Sequence, residues 1–327
     1  MQIYYIVPHS DRPSWGLGII YSHVAMLVKN GFSAYIIKEA ELKVPDWLEL
    51  DVPVKNVGYL KANIKPTDIL VVPEAHINFE GLKALKCRKI VFVQNCAYIF
   101  ENMPKAEDHV SLGFEHVMII MPHLEPIIKR HFKLPYSTIP PFVADYFFKE
   151  DMGMIRKKQV LIYPKHQQID YSIVRHILDR HISQSNTGWF KNLMTKENWK
   201  LVELKGLTHK QVAKYMKESA FFVSLNTFEA LNTSVPEAMA GGTVVFCYDG
   251  FGPKDFLRDR ENAMVFNNNE AYKLADTLCD WIDDFELRSA EFRLMQQNGF
   301  STAMQYKKEL TEIKLIEFFQ SYINPKN

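Results

Sequence analysis

Short apolar runs alternate with amphipathic stretches along nearly the whole chain. Residues 2–7 (QIYYIV) read as a buried strand. The stretch 16–29 places Ile20, Val24, Leu27 and Val28 at helical spacing, and Asn30-Gly31 stops it. Residues 32–37 are the next strand, which completes a strand–helix–strand unit. The same alternation predicts strands at 68–72, 89–93 and 116–121, with helices at 79–85 and 124–132. It restarts at 159–163 and continues with a helix over 170–181, a strand at 200–204 and a helix over 209–217 that Thr208 caps. The densest unit follows: strand 220–225, a helix from Ser234 to Ala240, and strand 243–248. A strand at 263–266 and a helix at 270–285 come next. Helices at 287–297 and 302–323, separated by Asn298-Gly299, close the chain. Apolar β-branched runs joined by helical crossovers favour parallel sheets buried on both faces.

At 327 residues the chain is too long for one typical core. Pro140-Pro141 and the charged stretch 149–158 mark a linker, so the main boundary falls near residue 150. This gives a first Rossmann-like domain at 1–150 and a second at 151–304. The last helix, about 305–327, is expected to pack back on the first domain. The fold class is therefore α/β with two parallel sheets, whose strand-end loops would face across a cleft.

The densest unit also carries chemistry. Ser234-Val-Pro-Glu237 has the form of a capping box, Ser at the N-cap and Glu at N3. A helix starting at the carboxyl end of a parallel strand suits a phosphate, and Thr233 and Ser234 add hydroxyls. Glu229 and Glu237 cannot hold a phosphate themselves; sugar diols are suitable partners for carboxylates. Both readings, a plain cap and a nucleotide-sugar site, remain open for this stretch alone. Gly16-x-Gly18 lacks the third glycine of a dinucleotide fingerprint and reads either as a helix-start glycine or as a close backbone approach to a ligand. Glu74, His76, Gln94, Asn95 and His123 lie just past strand ends, where ligands of such sheets bind. Lys129, Arg130 and Lys133 read as a solvated helix end or as a contact with a membrane surface.

Composition narrows the partners. Hydrophobic residues make up 47% and charged residues 24%, with a formal net charge of +1. No field of one sign argues for nucleic acid. The four cysteines form no C-x-x-C pair, which suits reduced thiols in a cytoplasmic protein. No signal peptide and no apolar run of membrane-spanning length is visible. There is no D-x-D triplet and no zinc-type ligand spacing, so no metal site is expected.

Together these residues resemble a family. Glu229-x7-Glu237 ahead of Ala-Met-Ala-Gly-Gly resembles the donor signature of family-4-type retaining glycosyltransferases of the GT-B fold. Gly16-Leu-Gly-Ile-Ile-Tyr-Ser-His23 resembles their first loop and helix. Residues 137–147 (STIPPFVADYF) resemble the segment leading to their interdomain linker, and Asp259-Arg-Glu-Asn262 the turn after their donor loop. Ala230 and Asn232 stand where the family often has glycine, and Pro164-Lys165 where it has arginine. The resemblance leans toward rhamnosyl- or polysaccharide-type transferases. It implies a metal-independent retaining transfer from a nucleoside-diphosphate sugar, as substrate and without a cofactor, to a hydroxyl of a glycan or lipid-linked acceptor in surface polysaccharide or glycoconjugate synthesis. Glu229 and Lys165 would be catalytic. Gly16, Gly18, Thr208, Leu231, Asn232, Thr233, Ser234 and Glu237 would bind the donor; Gln94, Asn95 and His76 would bind the acceptor. The protein would be a cytoplasmic monomer or homodimer, with a peripheral contact on the inner membrane face as an extension. The alternatives are a non-catalytic GT-B-like scaffold, a nucleotide-sugar epimerase or a phosphorylase.

Overall fold

The structure is a computed structural model that describes residues 1–7, 14–39, 42–103, 107–153, 156–164, 167–187, 198–229 and 231–324. It divides into two compact units, Met1–Pro141 with Glu309–Asn327, and Phe142–Lys308.

The first unit is built on seven parallel strands: β1 (Ile3–Ile6), β2 (Ala34–Lys38), β3 (Val54–Asn56), β4 (Ile69–Pro73), β5 (Arg88–Val93), β6 (Phe114–Ile119) and β7 (Tyr136–Thr138). Their order is β3-β2-β1-β4-β5-β6-β7. Register pairs Ile3 with Ala34 on one side and with Ile69 on the other. The helices are α1 (Trp15–Lys29), α2 (Val57–Asn63) and α3 (Glu125–His131). Every residue of β1 and β4 is buried, as their unbroken apolar runs require of central parallel strands. The order reverses between β1 and β4, and ligands of open α/β sheets bind outside the carboxyl ends at such a switch point.

The second unit holds β8 (Lys157–Ile162), β9 (Lys200–Glu203), β10 (Ser219–Ser224), β11 (Val244–Tyr248) and β12 (Met264–Phe266), in the order β12-β11-β10-β8-β9. Its helices are α4 (Gln168–Thr187), α5 (His209–Glu218), α6 (Ser234–Ala240), α7 (Ala271–Asp283) and α8 (Ser289–Ala303). Phe221 of β10 sits at the centre of an aromatic cluster. Its ring stacks on Trp199 at 5.5 Å and meets Phe246, Trp281, Phe285 and Phe292 edge-on within 6.0 Å. The cluster fixes the central strand whose end feeds α6. Here the switch point lies between β8 and β10.

The chain then returns through α9 (Lys308–Ile323). Phe319 packs 6.4 Å from Tyr5, and Phe318 lies 5.2 Å from His116. The Arg88 guanidinium covers the Tyr322 ring at 4.0 Å and donates to Glu115 at 2.7 Å and to the Tyr322 carbonyl at 3.0 Å.

Three sequence expectations need revision. Lys149 and Arg156 of the charged stretch are tied into the second unit. Val143 bridges to Lys307, and Lys149 and Arg156 are buried. Arg156 donates to the carbonyls of Lys217 at 2.7 Å and Gly241 at 2.8 Å, so a cation closes the C-terminal end of α5 and the turn after α6. The units meet in sequence at Pro141/Phe142, where residue 150 was expected. Asn298-Gly299 does not break a helix: α8 runs through it. A side chain at Gly299 would come within 3.3 Å of both the Asn262 carbonyl and Met239 Cγ, so this glycine permits close packing of α8. No helix among the described residues is long and apolar enough to cross a membrane.

Candidate functional site

In the second unit, α6 begins at the carboxyl end of β10, beside the switch point. It is not closed by a capping box. Thr233 stands at the N-cap with helical angles (φ −57°, ψ −28°) and no side-chain cap bond. The Asn232 carbonyl accepts from Val235 N at 3.0 Å and the Thr233 carbonyl from Glu237 N at 3.1 Å, so the helical turn is entered one residue early. Ser234 Oγ donates instead to Asn232 Oδ1 at 2.7 Å, and Asn232 Nδ2 donates to Ser224 Oγ at 2.6 Å. Asn232 is buried, and its amide ties the end of β10 to the first residue of α6.

Glu237 is thereby released for another partner. Its side chain is only 5% exposed, and its Oε1 accepts from His209 Nε2 at 2.9 Å. His209 is the first residue of α5, which is closed by a true capping box: Thr208 Oγ1 accepts from Gln211 N, and Gln211 Oε1 accepts from Thr208 N at 2.8 Å. The second imidazole nitrogen, Nδ1, lies 2.6 Å from the Tyr146 hydroxyl. Tyr163, just past β8, feels the same carboxylate: burial first and the Glu237 charge second push its hydroxyl pKa up.

Glu229 is half-buried on the loop after β10. That loop is pinned where Gln167 Nε2 donates to Thr227 Oγ1 at 2.9 Å, Phe228 N to Asn226 Oδ1 at 3.0 Å and Phe251 N to the Thr227 carbonyl at 3.1 Å. Leu231 is buried, while Thr233 and Ser234 are half-buried. Lys165, the expected cation, lies outside the described residues, as does Ala230.

The first unit gathers a separate polar group at its own switch point. Gly16 and Gly18 lie inside the first turn of α1, not on a loop before it. Ser14 is the N-cap and accepts from Leu17 N. Gln94 Nε2 donates to the Gly16 carbonyl at 3.0 Å, and a Cβ at Gly16 would sit 3.1 Å from Gln94 Oε1. Gly18 faces the apolar side chains of Leu48, Trp15 and Trp47 at 3.8–3.9 Å, so it serves packing. Asn95 N donates to Glu74 Oε1 at 2.7 Å, and Asn95 Oδ1 accepts from Ala97 N at 3.0 Å. Glu74 is fully buried, which pushes its pKa up to about 7 against the pull of the nearby backbone N–H groups. His76 is half-buried in the same turn, and burial lowers its pKa while the Glu39 charge opposes. The structure thus joins Gly16, Gln94, Asn95 and Glu74 in one unit and Thr208, Asn232, Ser234 and Glu237 in the other. Sequence reasoning missed His209 and Tyr146. The one available signal for His209 was its position as first residue of a helix capped by Thr208. Among the described residues no group of three or more His, Cys, Asp or Glu side chains is placed to hold a metal ion.

Two parallel doubly wound sheets, with polar side chains collected at the switch point of each, are the architecture of the GT-B fold. Residues 169–291 match the family model described as glycosyl transferases group 1. The chain is 27% identical over 293 residues to an alpha-1,6-glucosyltransferase of Actinobacillus pleuropneumoniae serotype 7, covering 84% of this chain and 82% of that one. A glycosyltransferase from Rickettsia africae shares the fold with a TM-score of 0.71 at 14% identity, covering 99% of both chains. The pneumococcal O-GlcNAc transferase, solved with UDP and GlcNAc, does so with a TM-score of 0.68 at 10% identity, covering 100% of this chain and 99% of that one. The chain has the GT-B fold, and residues 169–291 are similar to the glycosyl transferases group 1 family.

Proposed function

We propose that the protein transfers a hexosyl unit, glucose by likeness to its curated relative, from a nucleoside-diphosphate sugar to a hydroxyl of a glycan acceptor, with retention and without a metal. The observation that carries the reading is Glu237. It is a nearly buried carboxylate at the switch point of the second sheet, held by an imidazole and not spent on a helix cap. A carboxylate so placed suits a ribose diol, since it offers about four lone-pair sites and the imidazole uses one. Binding of UDP by the pneumococcal relative supports the same ligand class.

The remaining roles follow the family resemblance. Glu229 on its pinned loop takes the donor sugar. Departure of the nucleoside diphosphate builds negative charge on phosphate oxygens, which needs fixed donors. The Thr233 and Ser234 hydroxyls and Lys165 are assigned to that charge. The acceptor contacts are assigned to Gln94, Asn95 and His76 of the first unit. The absence of a D-x-D triplet from the sequence supports metal independence.

Calorimetric titration with UDP-, GDP- and dTDP-sugars tests the donor class, and the anomeric configuration of the product tests retention. Glu237→Gln should weaken nucleotide binding by ~10-fold or more, the order expected for a hydrogen bond to a charged group. Nucleotide affinity unchanged by Glu237→Gln would remove this residue from the site. Activity abolished by a chelator would remove metal independence.

A further inference from the structure

His209 lies at the middle of a line of three side chains. The Tyr146 hydroxyl is 2.6 Å from Nδ1, and Nε2 is 2.9 Å from Glu237 Oε1. With Glu237 as acceptor, Nε2 carries the proton and Nδ1 accepts from the tyrosine. The ring is also held by its neighbours. Phe147, fully buried, meets it edge-on at 4.7 Å, and Tyr146 does so at 5.7 Å. The capping box at Thr208 fixes the backbone from which the imidazole projects. Tyr146 and Phe147 belong to one short turn, Asp145–Phe147, that precedes β8.

The Glu237 side chain is 95% buried, and among the described residues its carboxylate accepts a hydrogen bond from His209. A carboxylate held through one oxygen by a fixed imidazole cannot swing about its side-chain torsions. Its remaining lone pairs keep one direction. A vicinal diol needs that: two hydroxyls must meet one carboxylate in a single orientation, and affinity is lost if the carboxylate must first be ordered.

We propose that His209 is a positioning residue for the nucleotide ribose, braced by Tyr146 and orienting Glu237 to accept from both diol hydroxyls. This rests on the reading of Glu237 as the ribose carboxylate. His209 itself touches neither the donor sugar nor the reacting atoms.

The test removes each side of the interaction in turn. Wild type, His209→Ala, His209→Gln and Tyr146→Phe are titrated by calorimetry with UDP and GDP and with their 2′-deoxy counterparts. Wild type should prefer a ribonucleotide over its deoxy form by ~10-fold, the order of one charge-assisted hydrogen bond. His209→Ala should lose ~10-fold for the ribonucleotide and little for the deoxy form, so that the preference collapses. His209→Gln retains an N–H near the Nε2 position and should recover most of the preference. Tyr146→Phe, which removes only a hydroxyl, should reduce it in part. If His209→Ala weakens both forms equally, or keeps the full preference, the positioning role is overturned while the donor reading stands. If wild type binds none of these nucleotides, the donor reading fails and this role fails with it.

Discussion

Glu74 makes the stability of the first unit depend on pH in an unusual direction. The carboxyl is the first residue of the turn after β4, is 2% exposed, and accepts from Asn95 N through Oε1. Its Oε2 has no hydrogen-bond partner among the described residues. Burial disfavours the charged form and raises the pKa from 4.5 to about 7, with the backbone N–H groups of Gln94, Glu74 and Asn95 opposing. In the unfolded chain the group ionises near 4.5; in the folded chain it keeps its proton until about 7. Between these values the folded state binds more protons, so stability falls as pH rises and levels off above about 7. At 1.36 kcal/mol per pH unit the gap corresponds to about 3 kcal/mol. Glu74→Gln is neutral throughout and removes this slope, whatever constant offset its amide introduces. Urea unfolding of both proteins from pH 5 to 8 should show the variant gaining on wild type by about 2.5 kcal/mol as pH rises, equivalent to roughly 5–10 °C in Tm. Hydrogen exchange at the Asn95 amide supplies a local reading of the same change. Parallel pH profiles for the two proteins would refute the reasoning.

Other positions give sharper local tests. Asn232→Ala removes the amide that bridges Ser224 and Ser234; it should cost about 2 kcal/mol and loosen the start of α6, read as faster exchange of the α6 amides. Gly242→Ala combines a φ of +72° with a Cβ 2.1 Å from Arg156 Nη2, which is itself committed to the Gly241 carbonyl. It should lower Tm by several degrees at least, and a melting curve that matches wild type would contradict the packing described. Arg88→Ala removes the cover over Tyr322 and the bonds to Glu115 and to the last turn of α9. These groups are partly exposed, so the cost should be about 1 kcal/mol, with limited proteolysis near the C-terminus as the measurement.

The second unit was more legible in the sequence than the first, for a physical reason. Around β10 and β11 the strands are unbroken apolar runs of strand length, and α6 lies between them within the bounds its pattern predicts. Strands β3 and β7 and helix α2 were not read. Each strand has three residues and lies at a sheet edge, where half-exposed side chains leave little apolar signal. The 79–85 helix contracts to a single turn at Leu82–Ala84 after the left-handed Gly81. Site residues divide in the same manner. Strand-end polar groups could be picked out by position, because parallel sheets place their loops there. Their partners could not. His209 meets Glu237 across 28 positions and Tyr146 meets His209 across 63, and no spacing rule reaches so far.

The departure from the family pattern at Asn232 is explained by what surrounds it. The family often has a glycine there, whereas this chain has a buried amide with hydroxyl partners on both sides. Ser224 ends β10 and Ser234 begins α6, so the three side chains form one closed link across the strand–helix junction. Replacing the amide alone would leave the buried Ser224 hydroxyl and the half-buried Ser234 hydroxyl to find new partners, at a cost of the same order as the bonds themselves. Asn232 is therefore a member of a set, and the side-chain link holds a junction that bare backbone would otherwise have to hold. The same link accounts for Glu237. Because Ser234 is turned toward Asn232 and away from the helix N–H groups, no capping box forms. The carboxylate three residues on is left to His209. The substitution that departs from the signature and the glutamate that carries it are two consequences of one hydrogen-bonded junction.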